Sequence, residues 1–127
     1  MGMIPASFAG CFLAFLLVLT PGLTITGAKA EEVTFDLWVE RGRVPANMQL
    51  IRVMQGDVVK LRWSTDRTTI LHLHGYDIEM KVDPGAMAEM NFTARATGRF
   101  PVSAHKPKQG GSHTHDPPLV HVEVHPR

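Results

Sequence analysis

Short segments in which apolar and polar residues alternate are the feature that most limits how this chain can fold. Because successive side chains of a β-strand point to opposite faces, a period of two predicts a strand with one buried face. No stretch has a convincing helical period, so the sequence predicts an all-β fold. The clearest such segment alternates Val33, Phe35, Leu37 and Val39 with Thr34, Asp36, Trp38 and Glu40.

Turn sequences divide the chain into about seven predicted strands, spaced at the roughly 8–12 residues that are typical of a β-sandwich or barrel. The turn Gln55-Gly56-Asp57 indicates a hairpin between the second and third strands. A long loop is expected at residues 106–118, where glycines and prolines recur. The predicted strands are residues 33–40, 50–53, 58–63, 69–74, 88–93, 100–104 and 119–124, and residues 76–82 either continue the fourth strand or start another.

The first thirty residues are predicted to be a signal peptide, and residues 31–127 the mature domain. An apolar run at residues 11–19 is followed by Pro21-Gly22 and then by Ala28-Lys29-Ala30, which matches an A-x-A cleavage site before Glu31. The alternative is an uncleaved membrane anchor, but the run is shorter than the roughly 18–20 residues that a spanning helix needs. The protein is therefore expected in the periplasm or secreted.

Charge and cysteine usage narrow the partners and the chemistry. The 13 Lys and Arg residues nearly balance 12 Asp and Glu residues, and no basic stripe indicates a nucleic-acid partner. The one cysteine, Cys11, lies in the predicted signal peptide, so the mature domain would have neither a disulfide nor a thiolate. An exported domain without disulfides fits a bacterial periplasm. No nucleophile with an oriented base can be inferred from spacing alone, so an enzymatic role is not favoured.

Histidine is the residue type that carries a functional signal. The chain has seven histidines, and all of them lie in the predicted mature domain. His72 and His74 are two residues apart in a predicted strand, so they should share one face. Five more lie between His105 and His125, three of them in or beside the predicted long loop. Imidazole is the commonest metal ligand in proteins, so this distribution indicates a metal site.

Several segments, taken in order, resemble a cupredoxin-like domain of the kind found in blue copper proteins and in the copper-A domains of oxidases and nitrous-oxide reductases. The resemblance spans residues 33–124 and implies a Greek-key β-sandwich. It also implies a copper site with one histidine from the fourth-strand region and further ligands from the loop before the last strand. The segments are residues 51–53, Gln55-Gly56-Asp57, His74-Gly75-Tyr76, Val82-Asp83-Pro84-Gly85, Phe92-Thr93-Ala94 and Gly98-Arg99-Phe100.

The resemblance singles out His74 as the first ligand, and His72 is a second ligand, an outer partner or an exposed strand residue. The family's ligand cysteine falls on Ala104, and without a thiolate neither a blue copper nor a copper-A site can form. What remains is a site of imidazoles. Three imidazoles suit Cu(II), and Zn(II) also accepts a three-histidine site. The candidate metal ligands are His74, His105, His113, His115 and His72.

These features lead to three hypotheses about function. The first is an exported cupredoxin-like protein that binds copper, as Cu(II), through histidines and serves in copper handling or delivery to a periplasmic or membrane copper protein. The second is a non-blue copper redox centre or electron-transfer protein. The third is a metal-free interaction module that keeps the fold. Copper titration of the domain separates the first two from the third.

Overall fold

Eight strands in two sheets form the part of the chain that the structure, a computed structural model, describes: residues 2–3, 22, 27–105 and 117–127. One strand more is present than the sequence predicts, because residues 76–82 contain a separate strand. A short 3-10 helix at Ala46–Met48 precedes the second strand. The strands are β1 (Glu32–Val39), β2 (Leu50–Met54), β3 (Val58–Thr65), β4 (Thr69–Leu73), β5 (Ile78–Val82), β6 (Ala88–Thr93), β7 (Gly98–His105) and β8 (Val120–His125).

The strands form a three-stranded and a five-stranded sheet that pack as a sandwich. The order is β1-β3-β6 in the smaller sheet and β2-β8-β7-β4-β5 in the larger one. The β1–β3 and β2–β8 pairs are parallel, and all the other pairs are antiparallel. Neighbouring strands are mostly not consecutive in sequence, as in a Greek-key connection. The predicted all-β sandwich is confirmed.

The core lies between the sheets and is built by the alternation seen in the sequence. In β3, Val59, Leu61 and Trp63 are fully buried, while the residues between them are more exposed. In β8, Val120 and Val122 are also fully buried. Each strand thus presents one apolar face inward, which leaves polar side chains, including most of the described histidines, on the outer faces.

The predicted hairpin between β2 and β3 is wrong. Gln55-Gly56-Asp57 does form a turn, in which the N–H of Asp57 donates to the carbonyl of Met54 at 3.1 Å. The turn carries the chain from one sheet to the other: β2 pairs with β8, and β3 pairs with β1 and β6. A local turn signal shows that the chain reverses, but the pairing depends on partners far away in the sequence.

No helix among the described residues is long and apolar enough to cross a membrane. The apolar run at residues 11–19, on which the predicted signal peptide depends, lies outside the described residues.

Candidate metal centre

His72, in strand β4 of the larger sheet, lies on the outer face of that five-stranded sheet. Its strand neighbours Leu71 and Leu73 are buried in the core, so alternation turns His72 away from the core. The register places His72 opposite Ser103 of β7 on one side and opposite Glu79 of β5 on the other. Residues that are directly opposite each other in a sheet share a face, so Ser103 and Glu79 lie on the same outer face as His72.

His105 reaches the same face from the end of β7. It lies opposite Ile70 in the register and two residues after Ser103, which gives it the same orientation as His72. His74 follows the last residue of β4, and its N–H donates to the carbonyl of Pro101 at 3.0 Å. This hydrogen bond continues the β4–β7 ladder by one residue and places His74 beside the other two histidines.

The three imidazoles form a compact cluster. One nitrogen from each of His72, His74 and His105 lies within 4.8 Å of the others, and all three residues are half-buried. The ring centroids of His72 and His74 are 4.2 Å apart, and those of His72 and His105 are 6.3 Å apart. Three nitrogens bound to one ion at about 2.0–2.1 Å lie roughly 3.4–3.6 Å apart, so separations of up to 4.8 Å must close by up to about 1.4 Å for the cluster to bind a metal.

A tight turn after β4 holds His74 in position. Gly75 has a φ of 87°, and a Cβ built there would lie 2.5 Å from Cδ1 of Phe100. Glycine is therefore required for both the backbone conformation and the close approach of the ring. Tyr76 packs against Phe92 and Phe100, with centroid distances of 4.7 and 4.9 Å. This aromatic contact anchors the turn that follows His74.

Carboxylates lie beside the cluster. Oδ1 of Asp77 is 3.7 Å from Nε2 of His72, and the Asp77 side chain is fully exposed. Asp77 has a φ of 54°, a left-handed conformation that aspartate tolerates better than most residues. Glu79 shares the face of His72 because the two residues lie opposite each other in the register.

Two further histidines lie on the outer side of β8, outside the cluster. Burial lowers the pKa of His121, the nearby Arg99 lowers it further, and Glu123 opposes both effects. Nε2 of His125 is 3.5 Å from Oε2 of Glu123. Both histidines can serve as controls for the cluster, because neither belongs to it.

Similar proteins are found by structure alone. No protein-family model matches the chain, and no curated protein matches it in sequence. A copper-binding protein solved in the apo form has a TM-score of 0.56 at 10% identity, and the match covers 77% of this chain and 92% of that one. The periplasmic domain of cytochrome oxidase subunit II from Bradyrhizobium japonicum has a TM-score of 0.52 at 13% identity, with 74% and 83% covered. A multicopper oxidase from Pseudomonas thermotolerans has a TM-score of 0.57 at 19% identity.

The domain has a cupredoxin fold. This confirms the resemblance seen in the sequence as far as the fold is concerned. The match to the multicopper oxidase covers 78% of this chain but only 31% of that one. A separate match, to a heme-copper terminal oxidase, covers 64% of the oxidase chain.

Within this cupredoxin domain, Ala104 faces away from the histidine cluster. It lies opposite Leu71, whose side chain is fully buried, and it packs against the core. Ala104 also lines a cavity of about 190 Å³ together with Thr69 and Leu119, and His105 lies at the same cavity. The position that the resemblance assigns to a cysteine is therefore on the opposite side of β7 from His72.

Three of the five predicted ligands of the cupredoxin domain are brought together, namely His72, His74 and His105. His113 and His115 lie outside the described residues. The sequence ranked His72 behind His74, whereas the structure places both in the cluster. The sequence did not single out Asp77, which the structure places with Oδ1 3.7 Å from Nε2 of His72.

Proposed function

We propose that this cupredoxin domain binds Cu(II) through His72, His74 and His105. The observation that carries the proposal is the approach of three imidazole nitrogens to within 4.8 Å on one face of the sheet. Nitrogen ligands favour Cu(II) over the other divalent first-row metals, and neutral imidazole suits it. Each histidine comes with its backbone held by the β4–β7 pairing, so binding requires rearrangement of side chains alone.

We further propose that the protein acts outside the cytoplasm in copper handling or delivery to another copper protein. The half-buried cluster supports exchange, because a recipient's ligands can approach the outer face of the sheet. The predicted leader at residues 1–30 supports export. Transfer of copper from the loaded domain to an apo copper-A domain, followed by the recipient's absorption, tests delivery. Retention of all the copper by the donor, with the recipient in excess, would count against it.

Copper binding itself is tested by titrating the domain with Cu(II) and recording electron paramagnetic resonance spectra. The expected result is one equivalent bound, with hyperfine structure from nitrogen ligands. Replacing His72, His74 and His105 together with alanine should abolish the signal. Replacing His121 and His125, which lie outside the cluster, should leave it unchanged. Stoichiometric binding by the triple variant would contradict the assignment of these ligands.

Two further points of the proposal concern the identity of the ion and the two histidines of the loop predicted at residues 106–118. Zn(II) is the competing ion, since three histidines also suit zinc, and competition between the two ions measures the preference. His113 and His115 are proposed as additional ligands on sequence grounds. If they bind, their replacement with alanine weakens Cu(II) affinity and changes the nitrogen hyperfine pattern.

A further inference from the structure

We propose that Asp77 supplies a carboxylate ligand to the histidine cluster and makes the site selective for a divalent ion over Cu(I). This inference rests on the proposed function, because it adds a fourth donor to the same three imidazoles. Its basis is the distance of 3.7 Å between Oδ1 of Asp77 and Nε2 of His72. Two ligand atoms held about 2.0–2.2 Å from one ion lie no more than about 4.3 Å apart, and the Asp77–His72 pair meets this limit. Asp77 does not lie within 4.8 Å of all three imidazoles, so its exposed side chain must move toward His74 and His105 when an ion binds.

The turn after β4 explains why this carboxylate is available. Gly75 and Asp77 both have positive φ, which folds residues 74–78 back so that Asp77 lies beside His72. The Asp77 side chain is fully exposed. The Asp77 carboxylate can therefore bind an ion without breaking a buried hydrogen bond. One carboxylate with three neutral imidazoles also offsets one of the two charges of a divalent cation.

Sulfur donors are directed elsewhere, which supports the preference for a divalent ion. Met80 lies opposite Leu71 in the register and therefore faces the core, and Met90 is fully buried. Sδ of Met87 lies 3.3 Å from Nε of Arg62, on the smaller sheet. Thioether ligands favour Cu(I), whereas oxygen and imidazole favour harder ions. These three methionines are therefore not directed at the cluster, whose identified donors are nitrogen and oxygen.

The test is the substitution Asp77→Asn, with Glu79→Gln as its matched control. Asparagine also tolerates the left-handed conformation, so the turn is kept while the charge is lost. Glu79 lies opposite His72 on the same face, so Glu79→Gln removes the same charge from the same neighbourhood. The expected result is a loss of Cu(II) affinity of at least about tenfold for Asp77→Asn, with a changed electron paramagnetic resonance spectrum. The Cu(I) affinity of Asp77→Asn should be unchanged, and so should the Cu(II) affinity and spectrum of Glu79→Gln.

The outcomes separate this inference from the proposed function. If the unmodified domain binds no Cu(II), the proposed function fails. If it binds Cu(II) and Asp77→Asn binds equally well with an identical spectrum, the inference about Asp77 alone is overturned. Equal losses of Cu(II) affinity for Asp77→Asn and Glu79→Gln would mean that only the negative surface charge matters, and would also overturn the inference about Asp77.

A separate observation concerns the start of the mature chain. We infer that Asp57 binds the amino group that is created when the chain is cleaved after Ala30. The backbone nitrogen of Glu31 already lies 3.1 Å from Oδ1 of Asp57, which is 4% exposed. The carbonyl of Glu31 accepts from the N–H of Val58 at 2.8 Å, so its backbone is fixed beside β3. Hydrolysis of the Ala30–Glu31 bond by a leader peptidase consumes one water and leaves a carboxylate on Ala30 and an ammonium on Glu31.

Cleavage would therefore replace a hydrogen bond from an uncharged N–H with an ion pair between an ammonium and the same buried carboxylate. The guanidinium of Arg127 contacts the same carboxylate and also the carbonyl of Lys29. Removal of Lys29 with the leader takes away this second contact, while Asp57 and the carbonyl of Gln55, 3.0 Å from Nε of Arg127, remain. Asp57 would thus bind both the amino group of Glu31 and the guanidinium of Arg127.

The experiment compares thermal unfolding of two chains, one that begins at Glu31 and one that keeps Ala30. All eight strands lie within residues 32–125, so both chains contain the whole fold. The ammonium gains a partner on folding, so its pKa rises above the usual value of about 8, and its stabilisation is present below that pH and lost as pH rises. The Glu31 chain should therefore unfold at a higher temperature at pH 6, with the difference disappearing in alkali and in Asp57→Asn variants.

Two results would overturn this second inference. One is an equal unfolding temperature for both chains at pH 6. The other is a mass spectrum of the protein exported by a bacterial host that places the N-terminus anywhere other than Glu31, including an uncleaved chain.

Discussion

His72 and Gly75 make different contributions to the same cluster. His72 is placed by the alternation of a strand, which any residue of good β propensity would maintain. Gly75 is required at its position for two reasons: its φ is 87°, and Phe100 fills the space that a Cβ would occupy. The ligand itself can therefore be replaced without loss of the fold, whereas the glycine next to His74 cannot.

Gly75→Ala should destabilise the domain by roughly 2–4 kcal/mol, as the sum of backbone strain and overpacking against Phe100. Gly85→Ala is the matched control, because Gly85 has a φ of 78° and no atom lies within 4 Å of the place that a Cβ would occupy. It should cost about 1–2 kcal/mol, from strain alone. Urea unfolding measures both, and equal losses would show that the contact with Phe100 contributes nothing.

Asp57 should make stability depend on pH in the acid range. Burial alone would raise the pKa of Asp57, but the N–H groups of Glu31 and Met54 and the guanidinium of Arg127 hold it below its usual value of 3.8. A carboxyl whose pKa is lowered in the folded state contributes stability above 3.8, and this contribution is lost as pH falls through the folded pKa. Asp57→Asn should cost roughly 2–3 kcal/mol near neutral pH.

Urea unfolding at a series of pH values measures this effect. The variant should be less stable at neutral pH and should lose less further stability on acidification than the unmodified domain. Asp36→Asn is the control, since Asp36 forms an exposed ion pair with Arg62 at 3.1 Å. Such surface pairs contribute about 0–1 kcal/mol. Parallel acid transitions for Asp57→Asn and the unmodified domain would contradict the prediction.

At the scale of the element, the two faces of β7 decide which chemistry the domain can support. Ser103 and His105 share the outer face with His72, and Ala104 faces the core. Ala104→Cys should therefore give no intense thiolate-to-copper absorption, although the resemblance places the family's cysteine there. Ser103→Cys is the matched variant, because Ser103 lies opposite His72. It should give that absorption when Cu(II) is added. The reverse pattern would show that the faces of β7 are assigned wrongly.

The strands also differ in how much of them the sequence could predict: their positions and buried faces were predictable, but their pairing was not. The alternation in β1, β3, β6 and β8 was sufficient to locate those strands and their buried faces, because it is a local property of the pleat. The β2–β8 pairing joins residues such as Ile51 and Val122, and no local signal reports such a distant partner. For the same reason, the turn at residues 55–57 predicted a hairpin that does not form. Likewise, the face shared by His72 and His74 was predictable, but the arrival of His105 depended on the β4–β7 register.

At the scale of the whole molecule, the cluster links the middle of the larger sheet to the turn between β4 and β5. An ion bound there would connect β4, β7 and that turn, all of which must be folded for the three nitrogens to meet. Few such arrangements exist in the unfolded chain, so metal binding should stabilise the folded state. The linkage is thermodynamic and needs no redox change, so Zn(II) should act in the same direction as Cu(II).

The domain should therefore unfold at a higher temperature when Cu(II) or Zn(II) is present. At a free metal concentration of 100 times the dissociation constant, the gain is about 2.7 kcal/mol. For a domain of this size, that corresponds to an increase of roughly 10 °C or more. A chelator should reverse the shift, and the variant lacking His72, His74 and His105 should not show it. The variant lacking His121 and His125 should respond like the unmodified domain. A metal-induced shift that survives in the triple variant would mean that the stabilising ion binds elsewhere.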